Sequence, residues 1–491
     1  MGIKDMKIFS KKEIKDLEKH FTEKQIPKLK YGMFHTLFGD TEGVSIVMKQ
    51  IESVLNRQLK VPKKNIVYLI GKSKIKNSRI TESEILWNHH PDNLLMRKQY
   101  TIGYGGGSSE RIEKAINVAK RAIAEWIRKT KIDVLIAHNT SHPVNFIASV
   151  ALSRYYQDCV RMGKKTPKYI LWWHDSHLER DEFLHPARDT ENYLLQGVPG
   201  RYVEYTLFIN SLQFEDAKKY FKKIDSRNLG FYKDMMANHD VMYNTTDTFI
   251  NNFKDLKSSK FSDRVEQFMI DFKVKELFKK ENVSMDDVLF CLQHTRVVGR
   301  KRIDFALKYA YELLSELKKK GMYKSMYFLV SGQDPDYMRK GLIKLHNELR
   351  KEYGVDKLFL VFAEDYTDKT HLTFDEYPKI FAKLGAISTY FSDVEGFGNN
   401  LLEVLASGLV PAIYTYPVYK KDIAKYNFKV IDYDRFENNP RKIEDTIKIL
   451  KSDSLRRKWI NTNLEILRKN FPHSTMGVKL KQAITAKRTH V

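Results

Sequence analysis

Only two cysteines, Cys159 and Cys291, occur in 491 residues. They stand far apart, each in apolar surroundings, so they build neither a disulfide framework nor a cysteine metal cluster. Buried thiols in a reducing compartment are the expectation. No apolar stretch approaches the roughly 20 residues that a membrane-spanning helix needs. The opening run from Met1 to Lys7 lacks the apolar core of a secretion signal, which points to a cytoplasmic protein. Patterns of the helix-turn-helix, zinc-finger and RNP kinds are missing too, so no nucleic-acid partner is expected. There is no long basic tail, no low-complexity segment and no internal repeat at a useful period.

What is present is charge and apolar bulk. Lys and Arg number 85 against 61 Asp and Glu, a net charge of +24 spread over the whole chain. An anionic substrate, peripheral contact with an anionic membrane surface, and a lysine-rich proteome each account for that excess. Abundant Lys and Glu with few Cys is also the composition of a thermophile's protein. Apolar residues are 42% and aromatic residues 12%, enough for real cores. The length calls for two or three domains.

Periodicity places the elements. Residues 10–25 read as an amphipathic helix. Tyr31 to Phe38 reads as a strand, and Gly39-Asp-Thr-Glu42-Gly43 turns into a helix with Val44, Val47, Met48, Ile51, Val54 and Leu55 on one face. Ile66 to Ile70 is the next strand, completing a βαβ unit. Tyr104 and three glycines precede a helix faced by Ile112, Ala115, Ile116, Ala119, Ile123 and Trp126. The glycines suit a connector or an anion site. Strands at 133–137 and 169–173 end at His138-Asn139 and His174-Asp175. Such polar clusters at strand carboxyl ends are where parallel α/β sheets bind ligands. Further strands are expected at 206–210 and 240–244. A second α/β series starts at Val288, with strands at 288–294, 326–331, 358–363, 386–392, 410–414 and 428–432. Residues 440–486 read as helical, broken at Pro472.

The second series holds the most informative stretch, Glu395-Gly396-Phe397-Gly398-Asn399-Asn400-Leu401-Leu402-Glu403 running on to Gly408 and Pro411. Gly396 and Gly398 permit a tight strand-to-helix turn and close approach of backbone to a ligand. The helix that follows starts with unpaired amides and a positive dipole end, an anion site. Glu395 lies before that helix and Glu403 about one turn inside it, so both face one cleft. Carboxylates accept hydrogen bonds and hydroxyl-rich ligands donate them. Phosphate on the amides with hydroxyls on the carboxylates describes a nucleotide sugar. A plain strand-helix junction with a solvated Glu403 is the competing reading.

The pattern E-G-F-G-x-x-L-L-E-x-x-A-S-G-x-x-P resembles the donor-site signature of family-4 retaining glycosyltransferases of the GT-B fold. The resemblance implies an α/β protein of two Rossmann-like domains facing each other across a cleft. It divides the chain into an acceptor-side domain at 1–250, a donor-side domain at 251–470, and a last helix at 471–491 crossing back to the first. The segment after Asn244 resembles the family's linker. Arg296 and Lys301, spaced R-x4-K after a strand, would lie on the donor diphosphate, and fixed cations there stabilise the leaving phosphate. Arg300 and Arg302 read as surface charges or acceptor contacts. Glu395 would bond sugar hydroxyls and Glu403 ribose hydroxyls, with the backbone from Phe397 to Leu401 on the diphosphate. Asn399 and Asn400 would touch phosphate or sugar, or cap the helix. Gly43 is carried over as the glycine that approaches the donor phosphates, with Glu42 where relatives have a second glycine.

On the acceptor side the resemblance makes His174 the catalytic contact, with His138, Asn139 and Asp175 as neighbours. Trp172, Trp173, Arg180, Arg188 and Arg201 are candidates to line the acceptor site, against core and surface roles. The function implied is transfer of a hexose from a UDP-, GDP- or ADP-linked donor to a hydroxyl of an unidentified acceptor, a sugar or a phosphorylated compound. No D-x-D motif stands where a metal would serve, so no metal and no cofactor beyond the co-substrate are expected. A GT-B phosphorylase, a sugar-nucleotide epimerase and a basic nucleic-acid or membrane-surface binding module are the alternatives.

Overall fold

The protein is represented by a computed structural model that describes residues 20–39, 43–103, 106–179, 181–197, 202–225, 236–258, 261–434 and 440–488. Most of the helix expected at 10–25 lies outside the described residues, and its described end forms the short turn Glu23–Lys28 instead. Glu42, Tyr104, Arg180 and Arg201 lie outside them as well. Two compact units are present. Residues up to Tyr243 and from His473 onward make the first, and Asn244–Pro472 make the second.

The first unit contains β1 (Tyr31–Phe38), β2 (Ile66–Ser73), β3 (Ile80–Glu82), β4 (Val134–His138), β5 (Lys168–Trp173), β6 (Tyr205–Phe208) and β7 (His239–Val241). They form one parallel sheet in the order β3-β2-β1-β4-β5-β6-β7. Every residue of β4 and β5 is buried. A parallel sheet is covered on both faces by crossover helices, so its strands read as continuous rather than alternating runs. Helix Gly43–Arg57 buries the six apolar residues that its periodicity singles out. Helix Gly106–Thr130 does the same with Ile112, Ala115, Ile116, Ala119, Ile123 and Trp126.

The second unit contains β8 (Val288–Gln293), β9 (Ser325–Val330), β10 (Leu358–Phe362), β11 (Ile387–Tyr390), β12 (Pro411–Tyr414) and β13 (Ile431–Tyr433). Their order is β10-β9-β8-β11-β12-β13, again parallel throughout. In each unit the chain winds outward to one edge and then returns to the other side of its first strand. The switch falls between β1 and β4 in one sheet and between β8 and β11 in the other. Loops diverge at such a point and leave a crevice at the strands' carboxyl ends, where open α/β sheets bind ligands. No described helix is long and apolar enough to cross a membrane. Cys159 and Cys291 are both free and buried.

The C-terminal region forms helices Pro440–Lys451, Asp453–Asn470 and His473–Thr485, with Pro472 between the last two. Proline lacks the amide that the helix ladder needs. The last helix belongs to the first unit. There Lys168, on β5, donates from Nζ to the carbonyls of Ile484 and Ala486. Arg488 forks onto the buried Glu204 carboxylate. These bonds satisfy two buried cations and fasten the chain's end beside the first sheet.

Backbone crowding beside β8 depends on one glycine. A Cβ on Gly332, just past β9, would stand 2.4 Å from the Thr295 carbonyl oxygen and 2.6 Å from the Arg296 nitrogen. Those atoms are backbone and cannot swing away. Gly332→Ala is expected to lower stability by about 1–3 kcal/mol, the usual range for overpacking. Urea unfolding of the variant checks this, and an unchanged midpoint would count against the close approach.

Candidate functional site

Past β8 the chain is held by its own side chains. Gln293 donates from Nε2 to Thr295 Oγ1 at 2.8 Å and accepts from Thr389 Oγ1 on β11 at 2.6 Å. This lock carries Arg296 out to an exposed position on the loop. The tight turn Gly299–Lys301 then brings Lys301 back into the interior, 5% exposed. Its Nζ pairs with Glu395 Oε1, and the Tyr390 hydroxyl donates to the same oxygen at 2.8 Å. Arg300 reaches Glu395 Oε2 at 3.2 Å and the Val394 carbonyl at 2.6 Å. The expected Lys301 and Glu395 therefore meet directly. Arg300, expected on the surface or at an acceptor, belongs to the same cluster. Arg302 pairs with Asp304 and Asp393.

The electrostatics follow from burial. Desolvation pushes the Glu395 carboxyl up, but Lys301 and then Arg300 outweigh it and hold the group at about 2. Burial pulls the Lys301 ammonium down to about 8, and Glu395 opposes the fall. Two buried charges so arranged persist as an ion pair because each removes the other's desolvation problem.

The turn after Glu395 has the strained glycine that the motif requires. Gly398 has φ +113°, and a Cβ there would meet the Tyr416 hydroxyl at 2.3 Å. That hydroxyl donates to the Phe397 carbonyl at 2.8 Å, and the Phe397 ring is buried near Phe471. Helix Asn399–Ala406 follows with no side-chain cap. Its first amides have no carbonyl within the helix to bond, as at any helix start. Asn399 is half-buried. Asn400 does not cap the helix, because its Nδ2 donates to the His294 carbonyl at 2.6 Å. One turn on, Glu403 Oε2 lies 3.1 Å from His294 Nε2, and His294 Nδ1 lies 2.9 Å from Ser331 Oγ. The Glu403 side chain remains 22% exposed. Leu401 is buried and anchors the helix.

In the first unit, Gly43 opens its helix. His138, Asn139, His174 and Asp175, expected on the acceptor side, gather at the carboxyl ends of β4 and β5. His138 Nδ1 lies 3.2 Å from His174 Nε2, and His35 Nδ1 lies 3.1 Å from the His138 carbonyl. Burial, then His174 and His35, push His138 well below the ordinary histidine range, so it is neutral. Asn139 adopts φ +58° and donates its amide to the Trp172 carbonyl. Asp175 accepts from the Ser176 amide at 2.9 Å and stands 3.7 Å from His142 Nε2. Trp172 and Trp173 are buried strand residues, not an exposed lining. Trp172 stacks on His138 and His174. Arg188 begins helix Arg188–Gly197.

Glu179 and Gln213 carry the loop that bears His174, and neither stands out by spacing. Glu179 accepts from Trp173 Nε1, Ser176 Oγ and Gln213 Nε2 at 3.0, 2.9 and 2.7 Å. Gln213 Nε2 also reaches the His174 carbonyl at 3.0 Å. Burial, then Asp175, push Glu179 up to about 8. Of the residues that sequence reasoning passed over, His294 had a usable signal, a polar side chain at the end of an otherwise apolar strand. Tyr390 and Ser331 had none.

No family model matches the chain. The mannosylglucosylglycerate synthase of Petrotoga mobilis is 27% identical over 425 residues, covering 82% of this chain and 86% of that one. The catalytic domain of Arabidopsis thaliana starch synthase IV, solved bound to ADP and acarbose, matches with a TM-score of 0.57 at 12% identity. That match covers 93% of this chain and 99% of the other. Anabaena Alr3699/HepE, solved with UDP and glucose, matches with a TM-score of 0.53 at 12% identity, over 93% and 100% of the two chains. The expected fold, two Rossmann-like units of the GT-B type, is the one these structures share.

The buried pair makes a direct prediction. Lys301→Met leaves a buried carboxylate and Glu395→Gln leaves a buried ammonium, so each should cost about 3–5 kcal/mol, with the double variant closer to wild type. Glu395 is depressed from 4.5 to about 2 on folding, so its contribution is present above 4.5 and is lost as pH falls through about 2. The stability gap between wild type and Glu395→Gln should narrow over that window. Urea titrations across pH check both points, and strictly additive single losses would contradict the pairing.

Proposed function

We propose that this chain is a glycosyltransferase that moves a hexose, with retention of configuration, from a nucleotide-diphosphate sugar to a hydroxyl of an acidic sugar acceptor. The observation that carries the reading is the convergence of Lys301, Glu395, Glu403 and the start of helix Asn399–Ala406 at the β8/β11 switch point. Each part has a task there. Arg296 and Lys301 meet the negative charge that grows on the leaving diphosphate. The first amides of the helix bind its oxygens. Glu403 accepts from the ribose hydroxyls. Glu395 accepts from a sugar hydroxyl on Oε2, the oxygen whose contact to Arg300 is the longer at 3.2 Å.

The transfer needs no nucleophile from the protein. The bond from the anomeric carbon to the phosphate oxygen breaks, its electron pair going to the diphosphate. The acceptor oxygen bonds the same carbon on the same face, and its proton passes to the leaving phosphate. His174 serves the acceptor oxygen, and neutral His138 orients its ring. His138, Asn139 and Asp175 support the acceptor side. No metal and no cofactor other than the co-substrate has a role. Support for an acidic acceptor comes from the net charge of +24 and from the relative whose named product carries glycerate.

The test is a panel of UDP-, GDP- and ADP-hexoses with glucosylglycerate, glycerate and glucose as acceptors, following nucleoside diphosphate release and the anomeric configuration of the product. One donor should give release, and Glu403→Ala should raise its KM about tenfold or more, the effect of a lost hydrogen bond to a charged group. Silence with every donor, together with sugar phosphate formation from inorganic phosphate, would favour a phosphorylase and overturn the reading. Because burial pulls Lys301 down to about 8, its charge is lost above that pH. Donor kcat/KM should therefore fall as pH rises through about 8, and Lys301→Arg should move that fall upward.

A further inference from the structure

We propose that His294 is a positioning residue that orients the Glu403 carboxylate and so sets the enzyme's preference for a ribonucleotide over a 2′-deoxyribonucleotide. The inference rests on the reading of Glu403 as the ribose partner. A partly exposed glutamate on a helix ordinarily samples several rotamers, and each immobilised rotamer-rich side chain costs free energy on binding. Glu403 is held in advance by the end of β8.

Burial and three contacts fix the histidine. Its side chain is fully buried. Phe374 stacks on its ring, with centroids 4.1 Å apart and planes 21° from parallel. Ser331 Oγ lies 2.9 Å from Nδ1. The His294 carbonyl accepts from Asn400 Nδ2 at 2.6 Å, which fastens the helix start to the same residue. A carboxylate only accepts hydrogen bonds, so Nε2 carries the hydrogen directed at Glu403 Oε2, 3.1 Å away. Nδ1 lies against the Ser331 hydroxyl, which also donates to the Gln293 carbonyl at 3.4 Å.

Asn400 and Glu403 are three residues apart, on one face of the helix. One bonds the His294 backbone and the other its ring, so strand end and helix are tied at two points. The carboxylate is thereby turned with Oε2 toward the interior. No described residue donates to Oε1. That geometry presents one carboxylate edge to a vicinal diol, whose two hydroxyls are both donors. Removing the 2′-hydroxyl removes one of the two.

The experiment uses the full chain with UDP, GDP and ADP and their 2′-deoxy counterparts, measured by calorimetry, together with donor kinetics. Wild type should prefer the ribonucleotide by about tenfold or more, the scale of one hydrogen bond at a site built for it. His294→Ala should lose most of that preference and raise donor KM with kcat nearly unchanged. His294→Gln, which keeps a donor, should recover part of it. The effect should not add to that of Glu403→Ala. Should His294→Ala fail to fold, Ser331→Ala decides: a reduced preference supports the proposal and an unchanged one overturns it. If Glu403→Ala abolishes the preference while His294→Ala keeps the wild-type ratio, this inference alone fails. If wild type binds no nucleoside diphosphate, the functional reading fails and the inference with it.

Discussion

The second unit is arranged around the buried ion pair of Lys301 and Glu395. Neither charge could stay in the interior alone, since stripping a single ion of water costs several kcal/mol even after relaxation. The loop after β8 and the loop after β11 must therefore meet. Tyr390 and Arg300 complete the pairing by donating to the two carboxylate oxygens. Once Glu395 is fixed, Gly398 must turn at positive φ for the helix to begin against Tyr416. The helix then sets the positions of Asn400 and Glu403. The strained glycine, the Asn400 contact and the second carboxylate all follow from where the first carboxylate is held.

The first unit uses the same sheet logic with the opposite electrostatics. Its switch point gathers histidines rather than an ion pair, and burial acts most strongly on His138. His138 is far below its ordinary range, and His177 is pulled to about 4 by burial and then by His142. Glu179, pushed up to about 8, lies beneath the same loop and accepts three hydrogen bonds. The two units treat burial differently: the second pairs its buried charges, and the first holds His138 and His177 low and Glu179 high.

All but one of the strands were legible because buried parallel strands are continuous apolar runs, and their ends moved by at most three residues. β3 was missed because Ile80–Glu82 is three residues with little burial. Helices Ser262–Asp271 and Val274–Lys280 were passed over because the stretch is charged and carries no motif, although Phe268, Met269, Val274 and Phe278 are buried in it. Trp172 and Trp173 read as candidates for a binding surface because aromatic residues beside a histidine suit one. In the structure they fill the sheet instead. Asn400 does not cap its helix, because its side chain bonds across to His294.

The sequence alone determined that Glu395 and Glu403 flank a strand-to-helix turn. That is local geometry, set by two glycines and by a spacing that spans the turn and the first helical turn. It also determined two parallel sheets and the carboxyl ends at which chemistry would sit. Only the tertiary structure decided what each carboxylate bonds. The partner of Glu395 stands 94 residues away in the chain and the partner of Glu403 stands 109 away. No periodicity reports on pairs so separated. They meet because β8 and β11 lie side by side at the centre of the sheet, and buried charge and polarity must be satisfied wherever the strands bring them together.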